Sequence, residues 1–310
     1  MKSRPASQQF GVEFYDVDLT RATDQELETI VQAQNEHGVI FLRDQKLTPA
    51  QHLAFSKRCG DVVLNHFFET VDGHGEIAMV RKEPKHATVV GGAWHTDHSY
   101  EPEPAKGSIL LGRQVPSSGG DTMFANMYAA YEALPDELKP ILEEMRAIHS
   151  IAHKYEAAVV QNKDDRFPNG SARDVSTAVH PVVIVHPDSG KKALFVNPDL
   201  TTHFEGWTKE QSAPLLKYLF EHSTRDEFVM RFQWKVGSIA FWDNRATMHC
   251  ACNDYPTETR IMHRVTLQGC PLFGAKNNAI RRSPGSDFGT ERVAKKIQEI
   301  TSAEQHRIAA

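Results

Sequence analysis

Apolar residues along this chain follow two periods. Between Asp24 and Glu36 they recur every three or four residues (Leu27, Ile30, Val31, Ala33), which predicts a helix with Asp24 as a candidate N-cap. Gly38 ends it, and Val39-Ile40-Phe41-Leu42 is a short continuous apolar run, so a buried strand follows. Thr48-Pro49 opens a second helix, with Thr48 as N-cap and proline at the first helical position; it stops before Gly60. Val12, Phe14, Tyr15 and Val17 alternate with acidic residues and predict an edge strand within 11–18. Further on the chain becomes strand-rich: Ile77–Arg81, Ser108–Arg113, Pro181–Val185, Ala193–Val196, Ser238–Trp242, Thr247–Ala251 and Arg260–Gln268. Helical insertions are expected at Met127–Ala133, Asp136–His149 and Thr208–His222. Many strands, short turns and a few helical insertions predict a mainly β fold, a double-stranded β-helix (jelly roll) core clad by helices.

Stretches 65–92 and 155–178 are polar and weakly periodic, long for loops in a compact domain, and are candidate active-site lids or disordered segments. They sit within an expected single domain spanning 1–310. The tail, 276–310, is charged, with Val293, Ile297 and Ile300 at helical spacing as a small docking face.

Composition narrows the class. With 310 residues the chain can bury a large core, and a formal charge of −5 argues against general nucleic-acid binding. No run approaches the roughly 18 apolar residues of a membrane span, so no membrane partner is expected. Met1–Pro5 leads into polar residues without an apolar stretch, so no secretory signal is expected either. The four cysteines are too sparse for a disulfide framework, which makes the cytoplasm the simpler compartment. Cys250 and Cys252 flank His249 closely, yet zinc spacing is missing, and they read as core-filling residues.

Candidate chemistry begins at His95-Thr96-Asp97. On a strand, residues i and i+2 point to the same side, so an H-x-D pair can offer an imidazole and a carboxylate to one metal. With 16 histidines, about one H-x-D is expected by chance, and context has to decide. His186-Pro187-Asp188 lies between two apolar runs and reads as a turn; His74-Gly75-Glu76 follows Asp72-Gly73, another turn signal. His203 and Glu205 sit in a polar stretch without alternation. Only His95 and Asp97 are followed by a matched partner, His249. Two imidazoles and one carboxylate on one face leave open positions, which suits non-haem Fe(II) that activates oxygen.

The strand from Arg260 adds a docking point. Alternation puts Arg260, Met262, Arg264 and Thr266 on one face. Two arginines facing into a barrel are costly without anionic partners, and Arg captures carboxylate, sulfonate or sulfate in bidentate fashion.

Trp94-His95-Thr96-Asp97, Pro116–Thr122, Trp242-Asp243-Asn244-Arg245 through His249, and Arg260–Arg264 together resemble the taurine dioxygenase family, from about Gly11 to Leu272. That family comprises Fe(II)/2-oxoglutarate-dependent dioxygenases and includes alkylsulfatases and aryloxyalkanoate-cleaving relatives. The resemblance implies Fe(II) held by His95, Asp97 and His249, with 2-oxoglutarate and O2 as cosubstrates. It implies Arg260 on the distal carboxylate of 2-oxoglutarate with Thr122 assisting, and Arg264 and His66 gripping an anionic substrate. Departures concern the substrate: Gly91 replaces an asparagine of taurine-specific members, and His98, Tyr100 and Leu200 differ from the taurine pocket. Gly91, Tyr100 and Leu200 therefore join His66 and Arg264 as candidate substrate-binding residues. Alternation sends His98 and Tyr100 to opposite faces. The expected substrate is a small-to-medium organic anion bulkier than taurine, and a homo-oligomer (dimer or tetramer) is expected.

Three rivals follow. The same fold can perform stable hydroxylation, desaturation or cyclisation in a biosynthetic pathway. A cupin-like hydrolase or isomerase using Zn(II) or Mn(II) would not need Arg260 and Thr122. A non-catalytic protein would not need the full ligand set.

Overall fold

The computed structural model describes residues 1–65, 67–152, 166, 176–276, 294, 295 and 297–303. Its largest element is a nine-stranded sheet. The order is Lys2–Pro5, Val12–Tyr15, Val39–Leu42, Ile239–Asp243, Gly107–Gln114, Arg260–Leu267, His74–Lys82 and Thr70–Val71, with Val62–Val63 paired to the end of Arg260–Leu267. A second sheet of three strands, Val229–Phe232, Thr122–Asn126 and Thr247–Ala251, lies against it.

Alternation within the long sheet explains its apolar runs. Ile40, Leu42, Ile109, Leu111, Ile239 and Phe241 pack outward, onto Leu27 and Ile30 of the helix Asp24–His37 and Phe55 of the helix Pro49–Cys59. Their neighbours Val39, Phe41, Leu110, Ala240 and Trp242 pack inward onto Phe124, Met230 and Phe232 of the second sheet. Both faces are covered, so these strands read as continuous hydrophobic sequence. This is the jelly-roll sandwich, helix-clad on its outer face. Met262 joins the inward cluster, so its partners in alternation, Arg260 and Arg264, also face between the sheets.

Several boundaries differ from the expectation. Thr23, not Asp24, caps the first helix, because its hydroxyl accepts from Glu26 in a capping box. Val12–Tyr15 is not at the edge, since Lys2–Pro5 pairs outside it. The expected helix Asp136–His149 is helical only over Lys139–Leu142. Arg146–Ser150 is a strand, held between Thr177–Pro181 and Thr201–Phe204. That last strand contains His203, which the pattern left irregular.

Region 65–92, read as a candidate lid, contributes strands Thr70–Val71 and His74–Lys82 to the main sheet. Of the other candidate lid, 155–178, all but 166 and 176–178 lies outside the described residues, as does Val293 of the tail. Ile297 is buried in the core cluster that includes Leu215 and Leu219, and Ile300 packs against that cluster, so this part of the tail does dock. No helix among the described residues is long and apolar enough to cross a membrane.

Candidate metal centre and cosubstrate pocket

His95 and Asp97 do not lie on a regular strand. His95 forms a single antiparallel bridge with His249, each backbone N–H donating to the other's carbonyl at 3.0 and 2.9 Å. Asp97 begins a turn in which His98 adopts φ +58°. The bridge sets both histidines side by side, with ring centroids 4.1 Å apart, and the turn brings the carboxylate across to them. His95 Nε2 lies 3.6 Å from Asp97 Oδ1, and His249 Nε2 lies 3.9 Å from Asp97 Oδ2. Two metal–ligand bonds of about 2.1 Å span at most about 4.2 Å between ligand atoms, so both separations are within a metal's reach.

The surroundings prepare these atoms for a cation. His95 Nδ1 is 2.8 Å from the Ala93 carbonyl, a bond that puts the proton on Nδ1 and leaves the Nε2 lone pair facing Asp97. Burial, and then His95, hold the His249 imidazole well below its ordinary pKa, so it is neutral. Its ring is wedged against Trp242 at 4.6 Å and Phe124 at 6.1 Å. Burial pushes the Asp97 carboxyl up, but Arg264 and then His249 outweigh it and keep the group ionised, well below the usual carboxylate range. Ser108 Oγ donates to Asp97 Oδ2 at 2.9 Å, and Arg264 Nη1 donates to Oδ1 at 3.2 Å. Two imidazoles beside an oriented carboxylate fit a divalent first-row metal.

A second group, His186, Asp188 and Asp243, also clusters closely enough for a metal. There Arg245 already takes the cation's place, donating to Asp243 at 2.6 Å and Asp188 at 2.7 Å. The turn expected at His186-Pro187-Asp188 is present between Val183–Val185 and Lys192–Leu194.

Farther along the same inner space lies Arg260. Its Nη2 reaches Thr122 Oγ1 at 3.5 Å, and Trp234 Nε1 donates to that oxygen at 3.0 Å. With its acceptor side occupied twice, the Thr122 hydroxyl has its own hydrogen left to donate. Arg260 is 3% exposed, and its Nε has no hydrogen-bond partner. Among the described residues no carboxylate pairs with it, so the pocket holds a positive charge awaiting an anion. Gly120, at φ +69°, makes the tight turn into Thr122; a Cβ there would lie 2.8 Å from Pro116 Cγ and 3.3 Å from Arg260 Cδ.

The remaining expected site residues divide. Arg264 is beside the triad, its guanidinium carbon 4.8 Å from the Phe68 ring centroid and its Nε unpartnered. Gly91, at φ +72°, packs on His95: a Cβ there would lie 2.9 Å from His95 Cε1, so the space it leaves is already filled by that ring. Leu200 is buried in the segment that Asp199 N ties to the Trp94 carbonyl at 3.3 Å. Tyr100 is buried, and it does not oppose His98: the turn stacks the two rings, centroids 5.7 Å apart. His66 lies outside the described residues. Sequence reasoning missed Ser108 and Trp234; the signals available were a lone hydroxyl in an apolar strand and an indole two residues beyond Phe232.

Residues 2–266 match the family described as "Taurine catabolism dioxygenase TauD, TfdA family". The chain is 32% identical over 309 residues to the alkylsulfatase of Acinetobacter baylyi, covering 98% of this chain and 96% of that protein. It is 35% identical over 272 residues to an alpha-ketoglutarate-dependent sulfate ester dioxygenase of Pseudomonas putida, covering 86% and 88%. A crystal structure of a taurine dioxygenase from Burkholderia xenovorans superposes with a TM-score of 0.76 at 36% identity, covering 94% of this chain and 98% of that one. The chain belongs to the TauD/TfdA family and is a 2-oxoglutarate-dependent dioxygenase, with Fe(II) as its metal, 2-oxoglutarate and O2 as cosubstrates and a small molecule as its substrate.

Proposed function

We propose that this dioxygenase oxidises the carbon bearing the anionic group of a small-to-medium organic anion, with an alkyl sulfate ester as its substrate class. In this reading His95, Asp97 and His249 hold the iron, and Arg260 with Thr122 docks the distal carboxylate of 2-oxoglutarate. When bound, Fe(II) supplies the redox centre at which 2-oxoglutarate and O2 become succinate and CO2 while a substrate C–H bond becomes C–OH. The chain's own part is positioning. Ser108 fixes the Asp97 carboxylate, the Ala93 carbonyl fixes the His95 ring, and Trp242 and Phe124 brace His249. Hydroxylation of a carbon bearing O-sulfate gives an adduct that collapses to an aldehyde, sulfate and a proton.

The observation that carries the reading is the second buried arginine. Arg264 touches Asp97 and keeps an unpartnered Nε beside the triad. Asp97 can ligate a metal through one oxygen while Arg264 stays beside the other, and the unpartnered Nε of Arg264 is the donor left for an anion. The two relatives described above, an alkylsulfatase and a sulfate ester dioxygenase, favour sulfate as that anion.

The test is anaerobic loading with Fe(II) and 2-oxoglutarate, then succinate release on admitting oxygen across alkyl sulfates, sulfonates and aryloxy acids. Alkyl sulfates should stimulate turnover most and release sulfate, while the parent alcohols should not stimulate it. Equal stimulation by the neutral alcohols would rule out the anion clamp.

A further inference from the structure

Arg260 stands directly opposite Lys82 in the antiparallel ladder between Arg260–Leu267 and His74–Lys82. Paired positions send their side chains to one face, and like charges so placed repel. Lys82 is 2% exposed, and among the described residues it too pairs with no carboxylate. Two buried basic side chains on one face, neither paired with a carboxylate, favour an anion nearby.

Tyr255 is the group between them. Lys82 Nζ donates to the Tyr255 carbonyl at 3.1 Å and sits 4.5 Å from its ring centroid. The tyrosine's backbone is pinned through its neighbour: Asp254 Oδ1 accepts from Gly120 N at 2.7 Å, and Asp254 Oδ2 accepts from Arg231 at 2.7 Å. That ties Tyr255 to the same turn that delivers Thr122. The hydroxyl of Tyr255 is buried beside the Arg260 guanidinium, which can only donate to it, so its own hydrogen is left without an acceptor among the described residues. Burial raises its pKa, opposed by the charge of Arg260, so the phenol stays a protonated donor. Three donors thus converge with hydrogens to spare: Arg260, Thr122 and Tyr255.

We propose that Tyr255 donates a third hydrogen bond to the distal carboxylate of 2-oxoglutarate, beside Arg260 and Thr122, with Lys82 holding its ring in place. The proposal rests on the assignment of Arg260 made above. Its consequence is selectivity: a 2-oxo acid without a distal carboxylate leaves three buried donors unpaired and is rejected.

The experiment titrates the anaerobic Fe(II)-loaded full chain with 2-oxoglutarate and with 2-oxobutanoate, following the visible absorption of the iron–2-oxo acid pair. Wild type, Tyr255→Phe, Lys82→Met and Arg260→Ala are compared. Tyr255→Phe keeps the ring and its contact with Lys82, so the metal-free protein should melt as wild type does. It should weaken 2-oxoglutarate about ten-fold or more and leave 2-oxobutanoate unchanged; Lys82→Met should show a smaller loss with the same selectivity. Unchanged 2-oxoglutarate affinity in Tyr255→Phe, with a loss in Arg260→Ala, would overturn the role of Tyr255 alone. No loss in either variant would overturn the Arg260 assignment itself. An equal loss of both ligands in Tyr255→Phe would also refute the contact with the distal carboxylate.

Discussion

Replacing Gly91 with alanine puts a methyl group 2.9 Å from Cε1 of His95. Carbon atoms rest about 3.5–4.0 Å apart, so the ring must retreat by about 0.6 Å or more. The backbone adds to the cost, because φ at Gly91 is +72°, where an L-residue is strained by about 1–2 kcal/mol. His95 cannot move freely, since its Nδ1 is held by the Ala93 carbonyl at 2.8 Å. The ring therefore either breaks that bond or swings its Nε2 away from Asp97. Loss of such outer support typically lowers metal affinity about ten- to hundred-fold. Anaerobic calorimetric titration with Fe(II) measures the affinity, and thermal melting of the metal-free protein measures the strain, expected as a drop of a few degrees. If Gly91 only widened the substrate pocket, Gly91→Ala would change the apparent KM for the organic anion and nothing else. Metal affinity within two-fold of wild type would refute the clearance argument.

Ser108→Ala removes the 2.9 Å hydrogen bond to Asp97 Oδ2 and should cost about ten-fold in Fe(II) affinity by the same titration; an unchanged affinity would count against its orienting role. Arg264→Ala should leave 2-oxoglutarate binding intact and raise the KM for the organic anion. Equal loss of 2-oxoglutarate binding in Arg264→Ala and Arg260→Ala would contradict this division of roles. For pH, burial depresses His52 to about 3 and His263 to about 4, both below the usual histidine value near 6.5. These groups are neutral when folded, so their contribution is full above about pH 6.5 and is lost as pH falls toward the folded values, by up to about 2 kcal/mol each at pH 5. Denaturant melts of metal-free protein at pH 7 and pH 5 should show that slope, and His52→Leu should flatten it. Equal slopes in the two proteins would show that His52 does not contribute.

The sequence revealed those parts whose signal is local or strictly periodic. Thr247–Ala251 and the start of Arg260–Leu267 were legible because alternating apolar residues mark a strand, and Thr48-Pro49 because a cap and an N1 proline mark a helix start. His95 and Asp97 are not i and i+2 of one regular strand, as the H-x-D spacing predicts. They converge through one bridge and a turn with a positive φ at His98, neither of which periodicity can show. The same limit explains Arg146–Ser150. Leu138 and Leu142 carry helical spacing up to its door, and what makes it a strand is pairing with residues far along the chain. Ser108 and Tyr255 matter only through a carboxylate and a guanidinium brought to them by folding, so their sequence neighbourhoods carry little trace of it. The pairing of Arg264 with Asp97, by contrast, follows from the expectation that two inward arginines must each find an anion. One found it in the protein, and the other did not.

The most direct test of the account is the visible absorption that appears when 2-oxoglutarate is added, without oxygen, to the Fe(II)-loaded protein. The account predicts a weak band in wild type that is abolished in His249→Ala, while in Arg260→Ala it is regained only at about ten- to hundred-fold higher 2-oxoglutarate. A band of normal strength in His249→Ala, at the wild-type concentration of 2-oxoglutarate, would contradict the assignment of the metal centre.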